Sequence, residues 1–301
     1  MHIKEIFAGR SALYQLMTLL VLILLFAILS SVVLIGIVSV SSKFTHGAGL
    51  NLYESPNLMR FTQFITSLGT FLIPALGVAW LCSPEFKKYL FIGKCPSWQV
   101  LLLTFLCTLL IGPAINLTGY LNEQFVLPQS LQPLYQWMRT TEDAADELTK
   151  TLLSGNGLGV LTANLIVIAL TAAVSEEFLF RGALMTIFNQ WIRNHHHITI
   201  WVIAIVFSAI HLQFFGFIPR MLLGAFLGYL VYWGKNIWVP VFAHFVNNAV
   251  AVIGMSSDKL KDNDYVTGEI KPDELLPFTI LAVVCLVLFY FCIRRLRKEL
   301  S

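Results

Sequence analysis

Long apolar runs separated by short polar segments dominate this chain and predict a bundle of membrane-spanning helices. A helix needs about 20 apolar residues to cross the hydrocarbon core of a bilayer. The fifth run is shorter, so its helix either borrows residues 191–194 or crosses where the bilayer is thinned. We expect an all-α polytopic membrane protein with about eight transmembrane helices. The predicted spans are residues 13–40, 61–81, 98–117, 158–188, 198–212, 219–233, 237–254 and 275–293.

The longest polar segment, residues 118–157, lies between the third and fourth spans and is rich in acidic side chains. We expect one amphipathic helix in it, at residues 141–153, resting near the membrane surface. Its charge cluster is interpreted as a solvated face, which is the usual role of such clusters.

Composition strengthens the membrane interpretation. The chain has 301 residues, of which 57% are hydrophobic and 12% charged, whereas a soluble domain has about 25% charged residues. Its basic residues are scattered and form no stripe, so we expect no nucleic-acid partner. The five cysteines show no C-x-x-C spacing, and we interpret them as unreactive thiols rather than a zinc site or a disulfide framework.

The basic residues predict the orientation of the bundle. Eight spans would put both termini on one side. The polar segments on that side hold more Lys and Arg than the opposite segments, most clearly in the tail at residues 294–298. By the positive-inside rule we expect both termini in the cytoplasm, with the chain in a bacterial-type inner or plasma membrane.

A few strongly polar residues interrupt the apolar runs of the second half. An ionisable side chain at the bilayer centre costs about 2.5–3.5 kcal/mol or more, so these groups need partners or a function. At about 1.5 Å per residue, Glu176, His211 and His244 lie roughly 10–20 Å from the membrane surface on the side of the termini, so they form one layer. The polar residues concerned are Glu176, Glu177, Arg181, His211, His244, Asn247 and Asn248.

Helical spacing predicts which of these residues face each other. Glu177 and Arg181 stand four residues apart, where a carboxylate and a guanidinium can pair. Glu176 then lies on another face without a partner in its own helix, which suits a general base. His244 and Asn248 are also four residues apart and face one cavity. We therefore expect that Glu176, rather than Glu177, points at both histidines, and that these groups bind and activate a water molecule.

Simpler explanations exist for most of these residues. A Glu–Arg pair at this spacing is more often structural than catalytic. A single His or Asn inside a membrane often serves only as a hydrogen bond between helices. Glu176 is the hardest to explain in this way, because an unpaired buried carboxylate is costly.

Three short stretches carry a resemblance to a known family. Residues 176–181 read E-E-F-L-F-R, residues 207–211 read F-S-A-I-H and residues 244–248 read H-F-V-N-N. They resemble the motifs E-E-x-x-x-R, F-x-x-x-H and H-x-x-x-N of the CAAX protease and bacteriocin-processing (CPBP) family of intramembrane proteases. Each motif alone is weak, but three in this order on three predicted helices are fairly specific. The resemblance covers residues 158–252.

The resemblance implies an eight-helix fold around a conical cavity that opens to the cytoplasm and the membrane. It implies that Glu176 and His211 activate the hydrolytic water while His244 and Asn248 stabilise the oxyanion. The supporting residues would be Glu177, Arg181 and Phe207. On this basis the chain divides into N-terminal helices (1–157), a catalytic core (158–254) and a last part with a polar loop, one helix and a basic tail (255–301).

The same residues leave the question of a metal open. Glu176, His211 and His244 would make a three-ligand zinc set with water in the fourth position. The chain contains no H-E-x-x-H stretch, and a metal-free glutamate protease would need the same residues. We expect no tightly held structural metal.

The sequence therefore predicts an endopeptidase that cuts near the C-terminus of a hydrophobic or lipidated, membrane-associated peptide, in contact with membrane lipid. A non-catalytic partner or immunity protein that captures a peptide in the cavity is the first alternative. A proton-coupled transporter is the second, since buried Glu and His also form proton relays. No inverted repeat or pair of broken helices supports the transporter.

Overall fold

The computed structural model describes residues 4–44, 55–193, 195–257 and 270–300, and all regular elements in these ranges are helical. Seven of the described helices are long and apolar enough to cross a membrane. The expected all-α polytopic architecture is thus confirmed. In chain order the helices are α1 (Ala12–Phe44), α2 (Pro56–Cys82), α3 (Phe86–Tyr89), α4 (Trp98–Glu123), α5 (Gln132–Leu153), α6 (Leu158–Trp191), α7 (His196–Ala209), α8 (Phe217–Gly234), α9 (Trp238–Ser256) and α10 (Leu275–Leu300).

The fifth predicted span is the short helix α7, which has only 14 residues. It begins at His196, so it does not borrow the residues before it as one expectation allowed. It ends in a turn where Leu212 takes a left-handed backbone conformation, with φ +54°. The chain therefore turns back before this helix reaches the length of a full span. Most of the predicted polar loop at 255–274 lies outside the described residues.

The helices that carry the polar residues stand at the centre of the bundle. In the most apolar windows of α8 and α9, 44% of the residues are buried by the protein itself, and in α6 the figure is 39%. The corresponding figures are only 6% for α1 and 11% for α10. Since an apolar helix with little burial faces lipid, α1 and α10 flank a core built from α6, α8 and α9.

Wide π-helical turns interrupt two of the spans. In α2 such a turn covers Leu68–Leu72, two residues before Pro74, a residue type that bends helices. In α6 the turns at Leu165–Thr171 and Phe178–Leu184 lie on either side of the segment Ala172–Glu177. Single π-helical turns occur frequently at functional sites because they redirect side chains within a helix. The two acidic residues therefore lie between two such turns.

Small residues bring α8 against α7. A Cβ atom on Gly224 would lie 3.2 Å from the Phe207 ring, and one on Gly228 would lie 2.9 Å from Ile200. The Gly224-x-x-x-Gly228 spacing, which permits close contact between helices, thus faces α7.

The amphipathic helix α5 is longer than expected and contacts the turn that follows α7. It spans Gln132–Leu153 rather than 141–153. The guanidinium of Arg139 lies 3.5 Å from the centre of the Phe215 ring. The Glu142 carboxylate accepts a hydrogen bond of 3.1 Å from the backbone N–H of Phe215. Its polar face is therefore partly engaged in contacts and is not only a solvated face.

A buried arginine ties the C-terminal end of α5 to the neighbouring helices. Arg60 is 5% exposed. It donates to Asn164 Oδ1 at 2.6 Å, to Asn57 Oδ1 at 2.8 Å and to the carbonyl of Ser154 at 2.6 Å. One side chain in α2 thus fixes the start of α6 and the segment that leads into it.

Both ends of the described chain lie on one face of the bundle, which we call the terminal face. Glu5 donates a backbone hydrogen bond to Trp80, at the end of α2. Ile237, between α8 and α9, donates one to Phe91. A Cβ atom on Gly234 would lie 2.9 Å from Leu300. The helix α5 and the turn after α7 lie at the other ends of these helices, on the opposite face.

Replacing Arg60 by Met should destabilise the protein, because the buried Asn164 oxygen and the Ser154 carbonyl lose their donor. Unsatisfied buried acceptors cost about 1–3 kcal/mol each, so we expect a clearly lower thermal unfolding temperature in detergent. Lys88→Met is the matched control, because that ammonium is exposed and belongs to a surface pair. Equal unfolding temperatures for the two variants would contradict the role of Arg60.

Candidate active site

Glu177 is the fully buried centre of the polar cluster. One of its oxygens, Oε1, accepts from Arg181 Nη1 at 2.8 Å and lies 2.8 Å from Nδ1 of His244. Neither Glu177 nor Arg181 has any exposed side-chain surface. Arg181 also donates to the backbone carbonyl of Gly224 at 2.9 Å. The pair that the spacing predicted is therefore present, and it connects α6 to both α8 and α9.

This geometry corrects the expectation that only Glu176 would face the histidines. Glu177 makes the short contact with His244, whereas Glu176 Oε2 lies 3.9 Å from His244 Nε2. The pairing of Glu177 with Arg181 does not use up the carboxylate. A carboxylate can accept several hydrogen bonds, so one oxygen serves both the arginine and the histidine.

Glu176 is the more accessible of the two acidic residues. Its side chain is 14% exposed, compared with none for Glu177. It lines two cavities together with His211 and Asn248. The residues predicted to act on a substrate are thus at a shared cavity wall, while the predicted supporting pair lies behind them.

His211 is held by the backbone of its own motif. It lies in the turn after α7 rather than within a helix as expected, because α7 ends at Ala209. Its Nδ1 lies 2.7 Å from the Phe207 carbonyl. A carbonyl oxygen only accepts, so Nδ1 carries the proton and Nε2 of the neutral ring is an acceptor. This leaves Nε2 as the nitrogen that can bind a water proton or a metal.

Phe207 packs against both histidines and the buried arginine. Its ring centre lies 5.1 Å from that of His211 and 5.9 Å from that of His244, edge to face in each case. The Arg181 guanidinium carbon lies 4.5 Å from the same ring centre. Such contacts contribute about 0.5–1.5 kcal/mol beyond burial and fix ring orientation. The first residue of this motif thus contacts both imidazoles.

Asn248 is oriented by hydrogen bonds on both sides of its amide. Its Nδ2 donates to the Ile168 carbonyl at 3.3 Å, within a π-helical turn of α6. Its Oδ1 accepts from Asn247 Nδ2 at 3.2 Å. Since an Asn amide has two N–H donors, one remains for a ligand.

Two cavities meet at the cluster. The first has a volume of about 590 Å³ and includes polar side chains from α4, α8 and α9; we call it the polar cavity. The second, of about 540 Å³, is lined mainly by apolar side chains of α2, α5, α6 and α9; we call it the apolar cavity. Ligand pockets usually measure about 300–1,000 Å³. The residues common to both are Glu176, His211, Asn248 and Ala251.

Sequence reasoning missed Arg220, which lines the polar cavity near the start of α8. It also missed that α5 supports the turn carrying His211, through contacts with Phe215. Burial raises the pKa of the Glu142 carboxyl above its ordinary value, and the hydrogen bond from Phe215 acts in the opposite direction. The sequence signal for Arg220 was a cation at the second position of an apolar run. The contacts between α5 and the distant turn have no such signal, because they do not produce a periodic pattern of apolar residues.

The donors do not form the zinc set considered above. Within the part of the chain that the structure describes, no group of three His, Cys, Asp or Glu side chains could hold a metal ion. The arrangement of Glu176, His211 and His244 therefore does not fit a three-ligand metal site.

A family model matches the region that carries these residues. Residues 159–250 match the family model described as Type II CAAX prenyl endopeptidase Rce1-like. The protein YpbD of Bacillus subtilis (strain 168) is 33% identical over 91 residues, which is 29% of this chain. The chain spans 43% of the length of this relative.

No solved structure matches the chain. The family match contains all three motifs, from Glu176 to Asn248. The resemblance inferred from those motifs is therefore confirmed over residues 159–250, which are similar to the type II CAAX prenyl endopeptidase Rce1-like family.

Proposed function

We propose that this protein is an intramembrane endopeptidase that hydrolyses a peptide bond near the C-terminus of a membrane-associated or lipidated peptide. The observation that carries the proposal is the meeting of two cavities at Glu176, His211 and Asn248. A peptide that occupies both cavities passes these three side chains. The family match to an endopeptidase model supports the same reaction type.

Water activation falls to Glu176 and His211 in this proposal. His211 presents Nε2 as an acceptor, because Nδ1 is bound to the Phe207 carbonyl. Glu176 takes a proton as the water oxygen attacks the scissile carbonyl carbon, and then gives that proton to the departing amine nitrogen. The C–N bond breaks, and the products are a carboxylic acid and an amine; the acid proton then passes to the amine, which leaves as an ammonium group.

His244 and Asn248 stabilise the oxyanion that forms on the attacked carbonyl. Asn248 has one N–H left after its bond to Ile168. His244 donates Nδ1–H to Glu177, so donation from Nε2 requires the doubly protonated ring. The role of Glu177 is thus to hold the histidine, and Arg181 fixes Glu177 in turn.

The apolar cavity supports a hydrophobic or lipidated substrate. Its wall includes Met59, Leu148, Ile168, Val252 and Met255. Burial of apolar surface there stabilises binding by about 25 cal/mol per Å². Membrane lipid is the expected surrounding partner.

Two expectations about orientation conflict. We propose cytoplasmic termini, as the basic tail predicts, whereas the family resemblance implied a cavity open to the cytoplasm. Both cavities are lined by residues near the face opposite the terminal face, including Met59, Asn116, Leu153, Gly216 and Met255. If the termini are cytoplasmic, the cavities lie toward the other side of the membrane.

Glu176→Gln should lower the cleavage rate of a membrane-anchored reporter peptide by roughly a hundredfold or more, because general acid–base catalysis contributes about 10²–10⁴-fold. The unfolding temperature should change little, since Glu176 makes no hydrogen bond as short as those of Glu177. The control is Glu147→Gln, which alters an exposed carboxylate on α5.

Cleavage at the normal rate by Glu176→Gln would exclude the mechanism. A biological effect that survives Glu176→Gln but is lost in Ala251→Phe, which fills the junction of the cavities, would favour the non-catalytic capture of a peptide.

Glu177→Gln should behave differently, because it leaves Arg181 as a buried charge without its carboxylate. Breaking a buried ion pair typically costs about 3–5 kcal/mol, so both the unfolding temperature and the activity should fall. Thermal unfolding in detergent, compared with that of Glu176→Gln, measures the difference. Equal stability of the two variants would contradict the division into a catalytic and a supporting carboxylate.

The orientation is testable with Glu147→Cys on α5 in a Cys95→Ser background. Contrary to the expectation of unreactive thiols, Cys95 is exposed, and it lies near the terminal face. With cytoplasmic termini, a membrane-impermeant thiol reagent should label this cysteine in intact cells. Cys95 in the wild-type chain is the matched control and should react only after permeabilisation. The reverse pattern would place the termini outside and the cavities toward the cytoplasm.

A further inference from the structure

We propose that Arg220 binds the free C-terminal carboxylate of the substrate and so makes the distance from the chain end a determinant of the cleavage position. The inference rests on the proposed function and adds a specificity residue to it. Arg220 lines the polar cavity with Glu176 and His211. It is the only Lys or Arg among the described residues that line either cavity.

The guanidinium of Arg220 has donors to spare. It donates to the Gln213 side chain at 2.7 Å and to the Gln213 carbonyl at 3.5 Å. A guanidinium has five N–H groups in a fork that matches a carboxylate, so several remain for a ligand. In the described part of the chain no carboxylate is in salt-bridge contact with it.

The surrounding charges favour an anion that arrives with the substrate. Arg220 is half-buried, and only the more distant Glu142 and Glu176 act on its charge. A cation in such a place is costly without a partner. Glu142 already accepts a hydrogen bond from the Phe215 backbone. A substrate carboxylate would therefore supply a close counter-charge that the protein itself does not supply.

The position of Arg220 fits the end of a peptide rather than its middle. The apolar cavity contains no Lys or Arg among its described lining residues, so the two cavities differ in charge. A peptide whose apolar part lies in the apolar cavity crosses the catalytic residues and enters the polar one. The polar cavity, with a volume of about 590 Å³, is large enough for the short C-terminal segment of a peptide.

The turn also shows how Arg220 is positioned. A Cβ atom on Gly216 would lie 3.3 Å from Nη2 of Arg220, so the guanidinium packs directly over this glycine. Gln213 and Gly216 both belong to the turn that follows His211. The carboxylate-binding group and the water-binding histidine are thus attached to one short segment, which fixes their separation.

The test compares two synthetic lipid-anchored peptides that differ only in a C-terminal carboxylate or carboxamide. For the wild-type protein in nanodiscs, kcat/KM should be roughly ten- to a hundredfold higher for the carboxylate peptide, as expected for charge-assisted hydrogen bonds. Arg220→Met should lower cleavage of the carboxylate peptide to the level of the carboxamide, so that the ratio becomes about one. Arg220→Lys keeps the charge but not the fork and should keep part of the preference.

Gln213→Met is the matched control, because it removes the side-chain contact with Arg220 and leaves the cation. This variant should slow the cleavage of both peptides by the same factor, so that the ratio of their kcat/KM values stays as in the wild type. If Arg220 had only a structural role, Arg220→Met would lower kcat/KM for both peptides by the same factor. That result, or a wild-type ratio near one, would overturn the proposal.

Binding separates this inference from the proposed function. The Glu176→Gln variant should cleave neither peptide but still bind the carboxylate peptide more tightly than the carboxamide. Full cleavage by Glu176→Gln would refute the catalytic mechanism and leave the preference of Arg220 intact. Equal binding of the two peptides, including no binding of either, would refute the role of Arg220 alone.

Discussion

The buried contact of Glu177 with Arg181 and His244 is the interaction on which the rest of the site depends. Three ionisable groups in the middle of an apolar bundle would each be costly alone, and together they compensate one another. The same contact joins three of the central helices, since Arg181 also donates to Gly224 of α8. Because one oxygen of Glu177 serves both partners, a change at either partner alters the position of the other.

Much of the fold follows from patterns that are local in the sequence. Apolar runs identified the spans, and Gly224 with Gly228 identified a close helix contact. Spacing of four residues identified the Glu177–Arg181 pair, because contacts between such neighbours depend only on the geometry of their own helix. Shared depth placed Glu176, His211 and His244 in one layer, and the structure puts all three on the wall of one cavity.

The parts that sequence reasoning missed depend on contacts between distant segments. No pattern within α6 indicates that His244 contacts Glu177 rather than Glu176, because the packing of α9 determines which carboxylate the ring reaches. The helix end at Ala209 and the left-handed Leu212 place His211 in a turn, which an apolar pattern does not reveal. The support of that turn by α5 likewise depends on chain segments more than 70 residues apart.

Two carboxylates that are neighbours in the sequence can have different roles because their exposure and their contacts differ. Glu177 has no exposed surface and two short contacts, so its negative charge is compensated and its position fixed. Glu176 is partly exposed at the junction of the cavities and has only a long contact to His244. A group that must take up and release a proton needs access to water and freedom from strong partners, and a group that must hold a histidine needs neither. The environment therefore supports the proposed catalytic role of Glu176 even though Glu177 is closer to the imidazole.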